Sequence, residues 1–458
     1  MIQIPSWELI KKYDRPGPRY TSYPTAVEFK ETFGPSQYEA HLARADRSPA
    51  PLSIYVHLPF CREMCRFCGC NVIATHDRSR ADTYLDTLEK EVALVAAKLP
   101  SRRQASQLHW GGGTPTFLDE AQLTRCHEII ARHFQFTDDV EKAVEIDPAI
   151  TTRSQIETLA KLGFNRISMG VQDFDARVQQ TVGRIQGEQE TADLVAAARA
   201  NGFHGVNLDL IYGLPYQTPK TWEDTLQRII GIHPDRMAVF GFAYVPNSKP
   251  HQRLLPQEAL PKTEQRVELF LAAVEAFAKA GYRLIGLDHF ALESDELAKA
   301  QDGGYLYRNF QGYTIRPAPD TVAFGMSSIS DIGGAYVQNF HKLKEWGDKI
   351  DAGVIPVERG AAMSDDDVMR RFVINRVMCL LRLDLREVEE QFGKASRDVV
   401  EQDLRAGVKE LQDDGLVTFD GSLLRVTPLG QLLVRNIAML FDAYLKKGAS
   451  RTQFSRTV

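Results

Sequence analysis

Apolar and polar positions follow two different periods along the middle of the chain. Short apolar and β-branched runs fall at 52–58, 107–110, 142–146, 166–171, 206–211 and 237–243 and read as strands. Between them apolar residues recur at helical spacing, over 80–99, 118–133, 152–162, 189–201 and 219–230. Strand and helix in strict alternation predict a parallel sheet with right-handed crossovers. Six such units predict an α/β fold, an open and incomplete parallel (β/α)6 barrel. In such folds chemistry collects where the strands end at their C-termini. The flanks read differently. Residues 1–50 have little periodicity, and 14–25 carries three prolines and a glycine, so this part is expected to be an extended arm packed on the surface. After 243 comes a polar, proline-bearing insertion and a helix over 262–280. From 364 the alternation stops. Helices are expected over 365–383, 385–392 and 399–414, then a hairpin of 416–418 and 423–426 turning at Asp420-Gly421, then a helix over 428–446. Helices with a two-stranded wing predict a mainly helical, winged-helix-like C-terminal domain. The resulting division is 1–50, 51–360 and 361–458.

Composition narrows the class. The 458 residues are 43% hydrophobic and 25% charged, as in globular proteins, and the net charge of −5 gives no general attraction to nucleic acid. A wing would raise DNA as a partner, but basic and acidic residues balance over 364–458, whereas a DNA-binding wing is basic. The first residues, Met1-Ile-Gln-Ile-Pro-Ser-Trp-Glu8, lack the basic and apolar regions of a signal peptide. No apolar run reaches the roughly eighteen residues of a membrane span. The cytoplasm is the expected location, and nothing demands more than a monomer.

Cysteine placement supplies the chemistry. Four of the six cysteines fall within ten positions, in Cys61-Arg-Glu-Met-Cys65-Arg-Phe67-Cys68-Gly69-Cys70, directly after the first strand, which Pro59 ends. A structural zinc site needs a second ligand pair elsewhere, and none occurs. Cys61, Cys65 and Cys68 instead form one C-x3-C-x2-C run. Three thiolates hold three corners of a [4Fe–4S] cube and leave the fourth iron open. Cys70 is one residue beyond Cys68, tight for another corner. Cys126 and Cys379 stand alone and read as buried apolar residues.

A C-x3-C-x2-C run after a strand resembles the radical S-adenosylmethionine (SAM) superfamily. The longer string Phe67-Cys68-Gly69-Cys70, with Arg19-Tyr-Thr-Ser-Tyr-Pro24 in the arm, resembles the oxygen-independent coproporphyrinogen III oxidases. The resemblance covers nearly the whole chain. It implies a radical SAM barrel, one [4Fe–4S] cluster on Cys61, Cys65 and Cys68, and two molecules of SAM. It places Tyr55, Gly112, Gly113 and Glu145 at the first SAM. The second SAM would meet Phe67, Gln172, Arg184 and Asp209, with backbone at Gly113, Thr114 and Ala243. Ile329 is another SAM contact, and Phe310 and Gln311 neighbour the reacting centre. The glycines of Gly111-Gly112-Gly113 also suit close approach to a ligand and exposed amides. Asp209 sits among apolar strand residues and needs a partner, for which Arg184 or Arg166 is the structural reading. His289, in Gly286-Leu-Asp-His-Phe290, reads as a satisfied histidine at a strand end. Two stretches depart from the family pattern on the substrate side, 315–320 with its two prolines and Ser327-Ser328.

The implied reaction is an anaerobic oxidative decarboxylation in haem biosynthesis. A 5′-deoxyadenosyl radical takes hydrogen from a propionate, carbon dioxide and an electron leave, and a vinyl group remains. Two propionates of coproporphyrinogen III react, giving protoporphyrinogen IX. The partners implied are that substrate, an electron donor of flavodoxin or ferredoxin type, and a separate acceptor. Carboxylates ask for cations, and Arg19, Arg308 and Arg316 are candidates. The alternatives in the same superfamily are a haem-binding carrier and a haem-modifying methyltransferase. Such carriers usually lack Cys70 and the arm signature.

Overall fold

The computed structural model describes residues 3–316, 318–448 and 454–457. Met1 and Ile2 of the N-terminal stretch and Pro317 of the 315–320 loop lie outside the described residues. The chain forms two compact units that interleave in sequence. One holds 30–281 and 318–361; the other gathers 1–29, 282–317 and 362–458.

The first unit is built on the six alternating strands. They run Leu52–Leu58, Gln104–Gly112, Gln135–Ile146, Arg166–Gln172, Gly205–Tyr212 and Arg236–Gly241, side by side in chain order and parallel. Thr321–Phe324 joins parallel on the far side of the first strand, followed outward by Ile329–Ile332 and Ala335–Asn339 in antiparallel register. The order is open, as expected of an incomplete barrel. The first strand is covered on both faces: Leu52, Ile54, Val56 and Leu58 are fully buried on one, and Ser53 and His57 are buried on the other. The helices begin where capping chemistry allows. Asp119 and Thr152 each accept a bond from the third helical amide, with Gln122 and Gln155 reaching back.

In the other unit the arm is not a surface strap. Tyr13, Tyr20 and Tyr23 are buried in one core with Val373, Val377, Leu404 and Ile437. The Tyr20 hydroxyl donates to Asp442 at 2.9 Å, and Tyr23 accepts the Ala443 amide at 3.0 Å. Trp7–Tyr13 is helical, and in the first unit so is Pro35–Ala45. Pro35 starts its helix, a position where the missing N–H costs nothing. The wing has three strands, because Arg382–Asp384 pairs with Leu423–Val426 beside Val417–Phe419. Two expected helices are broken. The 399–414 segment is Lys394–Arg405 and Val408–Asp413, and 428–446 is a succession of short turns around Val434–Ala438. A Cβ on Gly430 would meet the Leu416 carbonyl at 2.0 Å, and Asp442 caps a fresh turn with bonds to Tyr444 and Leu445. These contacts outweigh helix continuity.

Candidate active site

The cysteine loop leaves the first strand at Pro59 and returns at Ile73. Phe60–Cys61 pairs with Ile73–Ala74, and the Ile73 amide donates to the Pro59 carbonyl at 2.7 Å, so the base of the loop is pinned. Within it Cys61, Cys65 and Cys68 are half-buried, and Cys70 is exposed. Burial pushes the Cys61 thiol up to about 11 and raises Cys65. Cys68 is lowered to about 6 by the hydrogen bond from the Cys70 thiol. Half-buried thiols of this kind become thiolates when they ligate a metal.

Among the described residues no three His, Cys, Asp or Glu side chains converge as a single metal ion would require. The corners of an iron–sulfur cube stand further apart. Three half-buried thiols on one pinned loop are a donor set that fits such a cluster.

Carbonyls of the loop are tied down by residues that sequence reasoning missed. Gln252, itself buried, donates to both the Phe67 and Ala243 carbonyls at 3.1 Å, joining two expected SAM contacts through one amide. His251 bonds the Cys68 carbonyl at 2.8 Å, and Lys249 donates to the Cys70 carbonyl at 2.8 Å. These residues lie in the polar insertion, whose lack of periodicity hid them.

A second group gathers where the first three strands end. The Tyr55 ring stacks on His109 at 5.8 Å, and its hydroxyl meets His57 Nδ1 at 3.1 Å. Glu145 takes His109 Nε2 at 3.1 Å on one oxygen and the Gly112 amide at 3.2 Å on the other. Burial alone would raise the Glu145 carboxyl, but these bonds outweigh it and hold the pKa below its ordinary value. The glycine loop serves packing first. A Cβ on Gly111 would meet Glu145 at 2.7 Å, on Gly112 the His57 ring at 2.4 Å, and on Gly113 the Pro59 backbone at 2.6 Å. Nor are its amides open: Gly113 donates to Leu58 and Thr114 to Phe60, both at 2.8 Å. Gly112→Ala, at φ +113, is expected to cost about 1–3 kcal/mol of stability. It should also weaken SAM binding by displacing His57. Chemical denaturation and SAM titration check both.

Gln172, Arg184 and Asp209 form a third group around Gly170. A Cβ there would lie 2.7 Å from Gln172 Nε2 and 3.0 Å from Arg184, and Gly170 is in register with Asp209. Arg184 pairs with Asp147 at 2.9 Å and reaches Cys65 Sγ at 3.8 Å, a positive charge beside the thiol loop. Asp209 accepts from Ser168 at 3.1 Å and Asn207 at 2.6 Å.

Ile329 opens a strand beyond Thr321–Phe324, and the loop before it is clamped from behind. The fully buried Glu91 accepts from the Gly325 amide at 2.8 Å, Asn339 at 2.5 Å and Trp346 at 3.2 Å. Tyr84 donates to the His57 carbonyl at 2.7 Å and accepts the Met326 amide at 3.2 Å. One signal pointed to Glu91: a carboxylate on the same helical face as Leu88, Val92 and Val95.

Phe310 and Gln311 belong to the other unit. They sit at the tip of a hairpin in which Tyr307–Arg308 pairs with Tyr313–Thr314, and Asn309 Oδ1 accepts the Gln311 and Gly312 amides. In that unit Arg19 forms an ion pair with the buried Asp288. Asp288 also accepts from His289 Nδ1 at 2.7 Å, so the histidine is satisfied, as its strand-end position led one to expect.

Residues 55–229 match the radical SAM superfamily model, and 363–433 match the HemN C-terminal domain. The chain is 44% identical to the oxygen-independent coproporphyrinogen III oxidase of Escherichia coli K12, over the full length of both. This chain belongs to the oxygen-independent coproporphyrinogen III oxidase family. The relative of that name from Pseudomonas aeruginosa is 42% identical, again over both whole chains. The solved structure described as "Coproporphyrinogen III oxidase (HemN) from Escherichia coli is a Radical SAM enzyme" superposes with a TM-score of 0.91. It is 43% identical and covers 97% of this chain and 99% of that one. Membership in this radical SAM family implies a [4Fe–4S] cluster and SAM. Among the described residues no helix is long and apolar enough to cross a membrane.

Proposed function

We propose that this chain converts coproporphyrinogen III to protoporphyrinogen IX without oxygen, by oxidative decarboxylation of two propionates. What carries the reading is relatedness at 44% identity over the whole length of an oxidase of that name, with all three cluster cysteines on one loop. Neither the haem carrier nor the methyltransferase reading has a comparable observation behind it.

When bound, the cluster and SAM would supply abstraction of a hydrogen atom from the propionate β-carbon. Each propionate then loses carbon dioxide and one electron and becomes a vinyl group. The protein's part is to hold and exclude. Cys61, Cys65 and Cys68 are the cluster ligands. Glu145 is kept ionised and in place by His109, as an acceptor suited to ammonium or ribose. With the amides of the glycine loop already bonded, the loop's carbonyls are its means of meeting the SAM amino group. Two separate residue groups, Tyr55–Gly112–Glu145 and Gln172–Arg184–Asp209, support two SAM molecules. Phe67, packed against Val178, Val182 and Leu255, helps to keep water out. Ala243 and Ile329 complete the SAM contacts, and Phe310 and Gln311 flank the reacting propionate. We assign the reaction to a cytoplasmic monomer that takes electrons from a flavodoxin- or ferredoxin-type donor and passes the released electrons to a separate acceptor.

The test is anaerobic. Reconstituted protein with SAM, a reductant, an electron acceptor and coproporphyrinogen III should release two carbon dioxide molecules per protoporphyrinogen IX. SAM cleavage without decarboxylation would overturn the proposal.

A further inference from the structure

The reaction proposed above needs electrons delivered to the cluster, and the structure shows a face where a donor can approach. Three segments of one compact unit meet at the cysteine loop. The Arg66 amide donates to the Val182 carbonyl at 2.8 Å, and its guanidinium to the Thr181 carbonyl at 2.8 Å. From the polar insertion, Lys249 and His251 hold the Cys70 and Cys68 carbonyls. Val182 and Leu255 pack in one buried cluster, and Phe67 lies against it. Gly69 and Cys70, at the end of the loop, are exposed.

Two properties set this face apart. The first is exposed apolar surface. Ile185 and Leu254 are each 68% exposed, more than any other large apolar side chain among the described residues. Ile185 stands three residues beyond Val182 and Leu254 directly before Leu255, so both lie on segments held to the loop. Single apolar residues on a surface mean little, whereas a group of them among charged residues marks a site of association. The second property is charge. Residues 61–70, 181–187 and 249–254 hold five Lys and Arg against one acid, Glu63, in a chain of net charge −5. Glu63 is engaged by His76 at 3.0 Å, and Arg184 answers Asp147. Arg62 and Arg253 are exposed and form no ion pair among the described residues.

We infer that this face, with Arg62, Arg253, Ile185 and Leu254 at its contact points, docks a small acidic protein that carries one electron at a time. The inference rests on the proposed reaction, which calls for such a donor. Electron transfer weakens steeply with distance, so the donor has to dock where the loop meets solvent. One electron passes from the reduced carrier to the oxidised cluster, and the carrier leaves oxidised. Carboxylates on the carrier would answer the two arginines and steer the encounter. The apolar pair would hold the complex once formed. A second copy of this chain fits poorly, because a two-fold contact would bring the same cations together.

The test uses reconstituted holoenzyme, with flavodoxin as the acidic carrier and dithionite as a small reductant that needs no dock. Two readouts require no porphyrin: the rate of cluster reduction, followed by absorbance, and binding of oxidised flavodoxin, followed by calorimetry. Reduced flavodoxin should reduce the wild-type cluster in a second-order step whose rate constant falls about tenfold or more between low salt and about 0.5 M salt. Arg62→Glu combined with Arg253→Glu should lower the low-salt rate constant and affinity about tenfold and remove most of the salt dependence. Leu254→Ser should weaken binding at either salt. Iron content and reduction by dithionite should match wild type in each variant. Wild-type flavodoxin kinetics in the double variant, or a salt-independent rate in wild type, would overturn the docking face. An equal loss with dithionite would also overturn it, assigning these residues to the cluster instead. A dimer that Leu254→Ser splits, with flavodoxin kinetics unchanged, would make the face a self-contact, contrary to the inference. Should the double variant fail to hold its cluster, Arg62→Gln and Arg253→Gln carry the same comparison, each with part of the loss. Flavodoxin that reduces the wild-type cluster without any decarboxylation of coproporphyrinogen III would remove the proposed function and leave the docking face standing.

Discussion

A Cys65→Ala variant is expected to emerge from anaerobic reconstitution without a stable [4Fe–4S] cluster and with no turnover. On the proposed ligand set each of the three thiols would supply a different corner, so loss of one would leave two irons without protein ligands. No other cysteine is placed to replace it. Cys70 is engaged with Cys68, whose Sγ accepts the Cys70 amide at 3.4 Å, and Cys126 and Cys379 are fully buried elsewhere. Arg184 would keep its partner Asp147, so the loop's surroundings should survive. Iron and sulfide content, the visible absorbance of the cluster and protoporphyrinogen yield are the readouts. Cys70→Ala, by contrast, should keep its iron. Full iron content and activity in Cys65→Ala would refute the ligand assignment.

Glu91→Ala should be strongly destabilising, at about 3–5 kcal/mol, because it takes the acceptor from the buried Gly325 amide and Trp346 indole, removes one of the acceptors of Asn339, and opens a cavity. Urea unfolding would measure it. The same residue predicts a pH dependence. Burial pushes Glu91 up to about 7 against the pull of Gly325, Asn339 and Trp346, from an ordinary value of 4.5. Between those values the folded chain holds a proton that the unfolded chain releases. Stability contributed here is therefore present at low pH and lost as pH rises through about 7. Glu91→Gln should flatten that slope. It should also cost less than alanine, since it keeps the volume but sets an amide N–H against the Asn339 donor. An unchanged slope in Glu91→Gln would assign the effect to another group.

The sheet was legible because each strand carries a short apolar run and a helix of clear period follows it, although the third strand begins seven residues before its run, in the polar stretch from Gln135. The first, Leu52–Leu58, starts and ends where its pattern does. The cysteine spacing exposed the cluster loop for a similar reason: three soft ligands on one loop admit few chemistries. What escaped depends on contacts distant in sequence. Gln252 acquires meaning only when it spans Phe67 and Ala243. Arg184 pairs at 2.9 Å with Asp147 at another strand end, a contact no local pattern shows. The third strand of the wing, Arg382–Asp384, is too short to show a period. The arm read as a surface strap because prolines mask burial, although its tyrosines fill a core. A division at residues 50 and 360 follows the chain, whereas the compact units gather segments from both ends.

That gathering bears on how the unit folds. Arg435 donates to the Gly17 and Pro18 carbonyls, and Asn436 to the Tyr13 carbonyl at 2.8 Å. Further on, the Thr457 amide reaches the Arg15 carbonyl at 2.9 Å, and the Gly17 amide reaches Ser455 at 3.0 Å. These bonds join residues more than four hundred positions apart, so the unit closes through contacts of very long sequence separation and pays their loop-closure entropy. Arg435→Ala, which removes the bonds to Gly17 and Pro18, should therefore loosen the arm before it disturbs the sheet of the first unit, as hydrogen exchange would show.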